Sequence, residues 1–223
     1  FYLKGVHNFP YYNYWDLTNH LSRIYFLSNY GPHDLIPYWY NGFILSESYL
    51  LGFFYFALPL YLLTKSVITT IIISIILIYI LGFIFIYILG KTQNFSILKI
   101  IALYLFFFSN PLLIVGYLNV GRIPELFGWI LFILFLTLIL YYKNHLLDKK
   151  SLLFIPVYSA ILMIHPYVVS IASLLFIPLF LIKNLKEKII LIFYTLISLG
   201  VSSFAWLPFL KILEKPVEYT VFH

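Results

Sequence analysis

Residues 16 to 23 read DLTNHLSR, which places an acid, an imidazole and a guanidinium within eight positions of a chain that is 63% hydrophobic and 10% charged. Asp16 and His20 are four apart and His20 and Arg23 three apart, so on an α-helix all three share one face, while Leu17, Leu21 and Ile24 supply the apolar one. A carboxylate in that setting can serve as a general base, or bind a divalent metal together with His20 at the four-residue helical spacing. The structural alternative makes Asp16 an N-cap and leaves His20 and Arg23 solvated. No HExxH pattern is present to supply further ligands and a base. The chain has no cysteine, which excludes thiol catalysis, disulfides and cysteine-ligated metals.

Three further stretches carry groups able to do chemistry. In PHDLIPYWYNGFILSES, Trp39 and the neighbouring tyrosines can form a platform for a sugar ring or a lipid headgroup, with Gly42 permitting a tight turn and Asp34 and Glu47 nearby. An interfacial aromatic belt with two solvated carboxylates is the plainer alternative. In NVGRIPELFGW, Arg122 suits a phosphate and Glu125 suits an acid, a base or a metal ligand. A glutamate at a helix start also complements the helix dipole, and Pro124 fits a first turn. In MIHPYV, His165 interrupts apolar sequence, so it is either an intramembrane functional group or a histidine satisfying a broken helix end. Arg23 and Arg122 are the only arginines in the chain; the other basic residues are lysines. The planar guanidinium matches phosphate or carboxylate better than a lysine does, so this partition points to an anionic ligand.

The elements that must position these residues are helices in a bilayer. Charged residues are far below the roughly 25% of ordinary globular domains, and the run from Val67, VITTIIISIILIYILGFIFIYILG, exceeds the roughly 20 residues a membrane helix needs. The expected fold is all-α: a polytopic transmembrane helical bundle with an external loop region that contains short helices. Residues 1–48 form that loop region, 49–210 the transmembrane core and 211–223 the start of another external loop. A helix is predicted over 17–29, ended by Gly31-Pro32, and apolar segments over 49–63, 67–89, 97–117, 126–142, 152–164, 167–182 and 189–207. The opening residues carry no signal-peptide pattern.

The net charge of +6 resides largely in short lysine-rich loops, which marks cytoplasmic loops of a membrane protein and argues against nucleic acid as a partner. KNHLLDKK and KNLKEK are therefore expected in the cytoplasm, and GRIPE, the His165-Pro166 turn and the residues after Pro208 outside. DLTNHLSR shares the external face with them only if residues 49–63, with Pro59 at their middle, do not cross.

The order of these motifs resembles the GT-C class of polytopic glycosyltransferases, and is most similar to archaeal-type membrane proteins related in name to 6-pyruvoyl-tetrahydropterin synthase. The residues that carry the likeness are Asp16/His20, Trp39/Gly42, Pro59, Gly121-Arg122/Glu125, His165-Pro166 and Trp206/Pro208. The resemblance implies a multi-pass protein of the cell membrane that binds a polyprenyl-phosphate-linked sugar at the external face and transfers the sugar. It implies Asp16 and Glu125 as the acidic catalytic positions, and His20, Arg23, Trp39, Arg122 and His165 as substrate-binding groups. Some members of the class use a divalent metal, which would fall to Asp16 and His20. The class also leads one to expect a membrane helix before the Asp16 loop and further helices and a soluble domain after the chain given. The alternative is a non-catalytic assembly subunit that keeps a GT-C-like scaffold among other membrane subunits.

Overall fold

The computed structural model describes residues 15–38, 42–111 and 114–211. The first described helix, α1 (Trp15–Tyr30), forms where Leu17, Leu21, Ile24 and Leu27 recur at intervals of three and four, and all four are buried. Gly31, at φ +74°, ends it with its amide bonded to the Leu27 carbonyl at 3.1 Å. Asp16 lies inside the first turn, one residue past the helix start, and is not its N-cap. Two short strands follow, β1 (Leu35–Ile36) and β2 (Phe43–Ile44), antiparallel with Leu35 opposite Ile44. They are a small departure from the all-helical expectation.

The rest is helical: α2 (Leu45–Ser48), α3 (Gly52–Thr64), α4 (Val67–Thr92), α5 (Ile97–Phe108), a π-helical turn (Ile114–Asn119), α6 (Ile123–Lys143), a 3-10 turn (Lys149–Leu153), α7 (Phe154–Leu162), α8 (Pro166–Ile182) and α9 (Leu185–Leu210). Polar residues set several starts: Ser66 accepts the Thr69 amide ahead of α4, and Asn184 accepts the Glu187 amide ahead of α9. Proline sets the breaks. α5 stops before Asn110-Pro111, and His165-Pro166 separates α7 from α8.

Among the described residues, three helices are long and apolar enough to cross a membrane: α4, α6 and α9. Within their most apolar windows 28% of α4, 56% of α6 and 22% of α9 is buried, so α6 is the central post and the other two present one face outward. The outward faces carry large exposed apolar side chains such as Ile76, Phe193 and Leu196, which suit lipid and not water. The N-terminal half of α6 belongs to one core with α1, α3, α4 and α5, and its C-terminal half to a second with α7, α8 and α9.

The basic loops meet at one end. Lys183 Nζ donates to the His145 carbonyl at 2.6 Å and the Leu147 amide donates to Glu187 at 2.9 Å. At the other end of α6 and α8, the segment before α6, the His165 turn and α1 come together. Helix α3 belongs to that second end: its first amide, on Gly52, donates to the Met163 carbonyl at 2.8 Å, and Phe56 stacks on Phe127 at 4.5 Å, about one turn into α6. At 13 residues α3 is about 20 Å long, short of the ~30 Å hydrocarbon thickness. DLTNHLSR, GRIPE and His165 thus share one end of the bundle.

Candidate functional site

Two close approaches build the site. Gly121 adopts φ +89°, and a Cβ there would lie 2.6 Å from the Leu17 amide nitrogen and 2.7 Å from the Leu17 Cβ. Only glycine lets the loop before α6 press onto the first turn of α1 in that conformation. Arg122 is thereby carried to Asp16, with Nε 3.9 Å from Oδ2. On the other side, a Cβ on Gly52 would meet the Met163 carbonyl oxygen at 2.7 Å, so the start of α3 and the end of α7 also touch backbone to backbone. That contact brings Tyr49 and the His165 turn to the same place.

The result is a cavity of about 390 Å³ lined by Asp16, Asn19, His20, Arg23, Tyr49, Arg122, Glu125, His165 and Tyr167. Small-ligand sites run from roughly 300 to 1,000 Å³. Six of the seven residues assigned catalytic or binding roles from sequence lie in it: Asp16, His20, Arg23, Arg122, Glu125 and His165. Trp39 falls outside the described residues. Asp34 is exposed and Glu47 pairs with Lys211 at 3.0 Å, so neither belongs to the cavity. Both arginines of the chain are in the wall.

The carboxylates are held differently. Asp16 is half exposed and meets Arg122 at a distance too long for a good hydrogen bond; a pair exposed at 44% and 57% contributes at most about 1 kcal/mol. Glu125, in the first turn of α6, accepts at Oε1 from both the Tyr117 hydroxyl and the Trp129 indole N–H, each at 3.3 Å. Tyr117 comes from the π-helical turn that follows Asn110-Pro111, so that helix break delivers a donor to the site. Arg23 lies over the Tyr49 ring, its Cζ 4.3 Å from the centroid.

The histidines have no such support. His20 is 4% exposed, packed near the rings of Tyr49 and Phe54 at 5.8 and 5.7 Å. Its Nδ1, and that of His165, are buried without a hydrogen-bond partner among the described residues. An unmet buried polar group costs about 1–3 kcal/mol. Burial, with the Arg23 guanidinium and His165 adding to it, pushes the His20 pKa down to about 3. His165 is also lowered, first by burial; Glu125 opposes this and Arg122 adds to it. Tyr49 is pushed up to about 12 by burial, against the nearby Arg23. As the residue preceding α8, His165 makes no side-chain cap bond, so it does not serve the broken helix end as the structural alternative required.

The metal reading fits poorly. Among the described residues no group of three or more His, Asp or Glu side chains could hold a metal ion. Asp16 and His20 have no third ligand to join them among the described residues, and the Asp16 carboxylate meets the Arg122 guanidinium at 3.9 Å.

Asn19, Tyr49 and Tyr167 line the cavity, and Tyr117 and Trp129 orient Glu125, without having been singled out in the sequence. Trp129 was findable, being four residues after Glu125 on one helix face. Asn19 and Tyr167 adjoin residues that were flagged. Tyr49 gave no signal, because only the docking of α3 brings it to α1. Searches against protein-family models, curated proteins and solved structures match nothing to this chain.

Proposed function

We propose that this chain carries the donor site of a GT-C-type membrane glycosyltransferase that takes a sugar from a polyprenyl-phosphate-linked donor at the external face of the cell membrane. The observation that carries the reading is the convergence, in one cavity, of both arginines of the sequence with two carboxylates and two histidines. These residues come from α1, the loop and first turn of α6, and the turn between α7 and α8. In a chain with so few ionisable groups, such a gathering is costly unless a ligand uses it.

The chemistry follows from the groups. Arg122, with Arg23 behind it, would take the phosphate of the donor and offset the negative charge that grows as it departs. The bond between the anomeric carbon and the phosphate oxygen breaks, and its electron pair stays on the phosphate. The acceptor oxygen forms the new bond to that carbon, and its proton passes to the Asp16 carboxylate, which the long contact to Arg122 leaves able to accept it. Glu125, with one oxygen occupied by Tyr117 and Trp129, is oriented to accept from a sugar or acceptor hydroxyl with the other. Tyr49 and Tyr167 offer ring surface to the sugar, and the polyprenyl chain would lie along the apolar surface of α3. No step uses a metal.

The test is transfer of a labelled sugar from a polyprenyl-phosphate donor by the protein in membranes or detergent. Asp16→Asn is expected to lower the rate about 100-fold or more. Wild-type-like transfer by that variant would remove Asp16 from the chemistry. A folded protein that binds no donor and co-purifies in fixed ratio with other membrane subunits would instead be a scaffold.

A further inference from the structure

His20 is the one nine-tenths-buried ionisable residue of the cavity wall, and its surroundings do not explain why it is a histidine. It sits near Tyr49 and Phe54 in an aromatic cluster, a place a phenylalanine would fill with no polar atom to satisfy. Its Nδ1 has no hydrogen-bond partner among the described residues, and the same holds for Nδ1 of His165, from the turn between α7 and α8. Two imidazoles from two segments thus line one cavity, each with bonding capacity that the protein leaves unused.

The remaining charges narrow what those rings can meet. Arg23 and Arg122 bring two positive charges to the wall and Asp16 and Glu125 two negative ones, so the cavity is balanced before a ligand enters. A phosphate would go to the guanidiniums, which outcompete a neutral imidazole for it. A cationic ligand would go to the carboxylates. What suits a neutral imidazole, with one donor and one acceptor nitrogen, is a hydroxyl, itself donor and acceptor. We propose that His20 and His165 form an uncharged subsite that reads hydroxyl groups of the ligand, beside the guanidinium pair that takes its phosphate. The burial that keeps both rings neutral serves this role, since a charged ring would lose its acceptor nitrogen.

This inference rests on the donor reading above, and two probes separate them: a polyprenyl phosphate without sugar, and the same lipid carrying a hexose. Equilibrium binding is measured to the wild type and to His20→Phe and His165→Phe, with melting temperature recorded for each; His165 sits in a partly exposed turn, so its variant is informative even if the other fails to fold. The wild type should bind the hexose-bearing lipid more tightly than the bare one. Each variant should weaken the hexose-bearing lipid about 10-fold while changing the bare lipid less than about twofold. Equal weakening of both lipids, no weakening of either, or a wild type that does not distinguish the two lipids would each overturn the subsite while leaving phosphate recognition standing. A wild type that binds neither lipid would overturn the donor reading, and the subsite with it.

Discussion

Lys183 and Glu187 stand 3.3 Å apart with side chains 6% and 9% exposed, whereas Arg122 and Asp16, at the opposite end of the bundle, stand 3.9 Å apart and are 57% and 44% exposed. Around the first pair no buried side-chain polar atom among the described residues lacks a partner. Glu187 accepts the Leu147 amide, Lys183 donates to the His145 carbonyl, and the Tyr142 hydroxyl donates to Asp148 at 2.6 Å, holding that carboxyl below its usual range. These bonds tie the loop after α6 to the start of α9. Around the second pair the bonding is unfinished: a long ion contact and two buried imidazole nitrogens with no partner among the described residues. Polar groups that satisfy one another hold helices together; polar groups that leave capacity unused around a cavity are arranged for something that enters it.

The contrast can be broken most directly at the satisfied end. Glu187→Ala leaves the Lys183 ammonium buried without its carboxylate, and stability should fall by about 3–5 kcal/mol, read as a lower melting temperature in detergent. Donor binding by the protein that remains folded should not change. Gly121→Ala is next. A methyl group at φ +89°, 2.6 Å from the Leu17 nitrogen, forces the loop off α1, costing about 1–3 kcal/mol and separating Arg122 from Asp16. Unlike the first change it should also weaken donor binding, and equal donor binding in the two variants would erase the distinction between the ends.

Acidification sharpens the comparison. His20 has a folded pKa near 3 against an ordinary value of 6.5, so the unfolded chain binds the proton first as pH falls. Its contribution is constant above about pH 6.5 and declines below it, by about 2 kcal/mol on reaching pH 5. His20→Phe should flatten that part of the stability profile; an unaltered slope would mean that the ring is not held neutral. The smallest effect is expected at the exposed pair. Arg122→Gln should change stability by less than about 1 kcal/mol while abolishing measurable sugar transfer. A large loss of stability there would make the pair structural, like its counterpart at the other end.

Much of the helical layout was legible because lipid-facing helices must be apolar over their whole length. The run from Val67 became α4, the helix predicted over 17–29 became Trp15–Tyr30, and the breaks at Asn110-Pro111 and His165-Pro166 fall where proline removes a donor. Less legible were the short elements. The two-residue strands have no periodicity to read, and the π-helical turn depends on what Tyr117 meets across space. In the cavity, residue type exposed the ionisable members, since each stands out against apolar sequence. Tyr49 did not stand out in a chain with 21 tyrosines, and its role comes from lying between Arg23 and His20.

By itself, the sequence determined that the chain is helical with segments apolar enough for a bilayer, and which scarce polar residues could do chemistry, because burial in lipid penalises every charge and makes each exception visible. Whether those exceptions meet was decided by tertiary structure alone. The 13 residues of α3 read equally well as a crossing or as a helix confined to one end. The Gly52 amide bonded to Met163 and Gly121 pressed on Leu17 bring DLTNHLSR, GRIPE and His165 to one end of the bundle, and such contacts between segments far apart in the chain leave no trace in local periodicity.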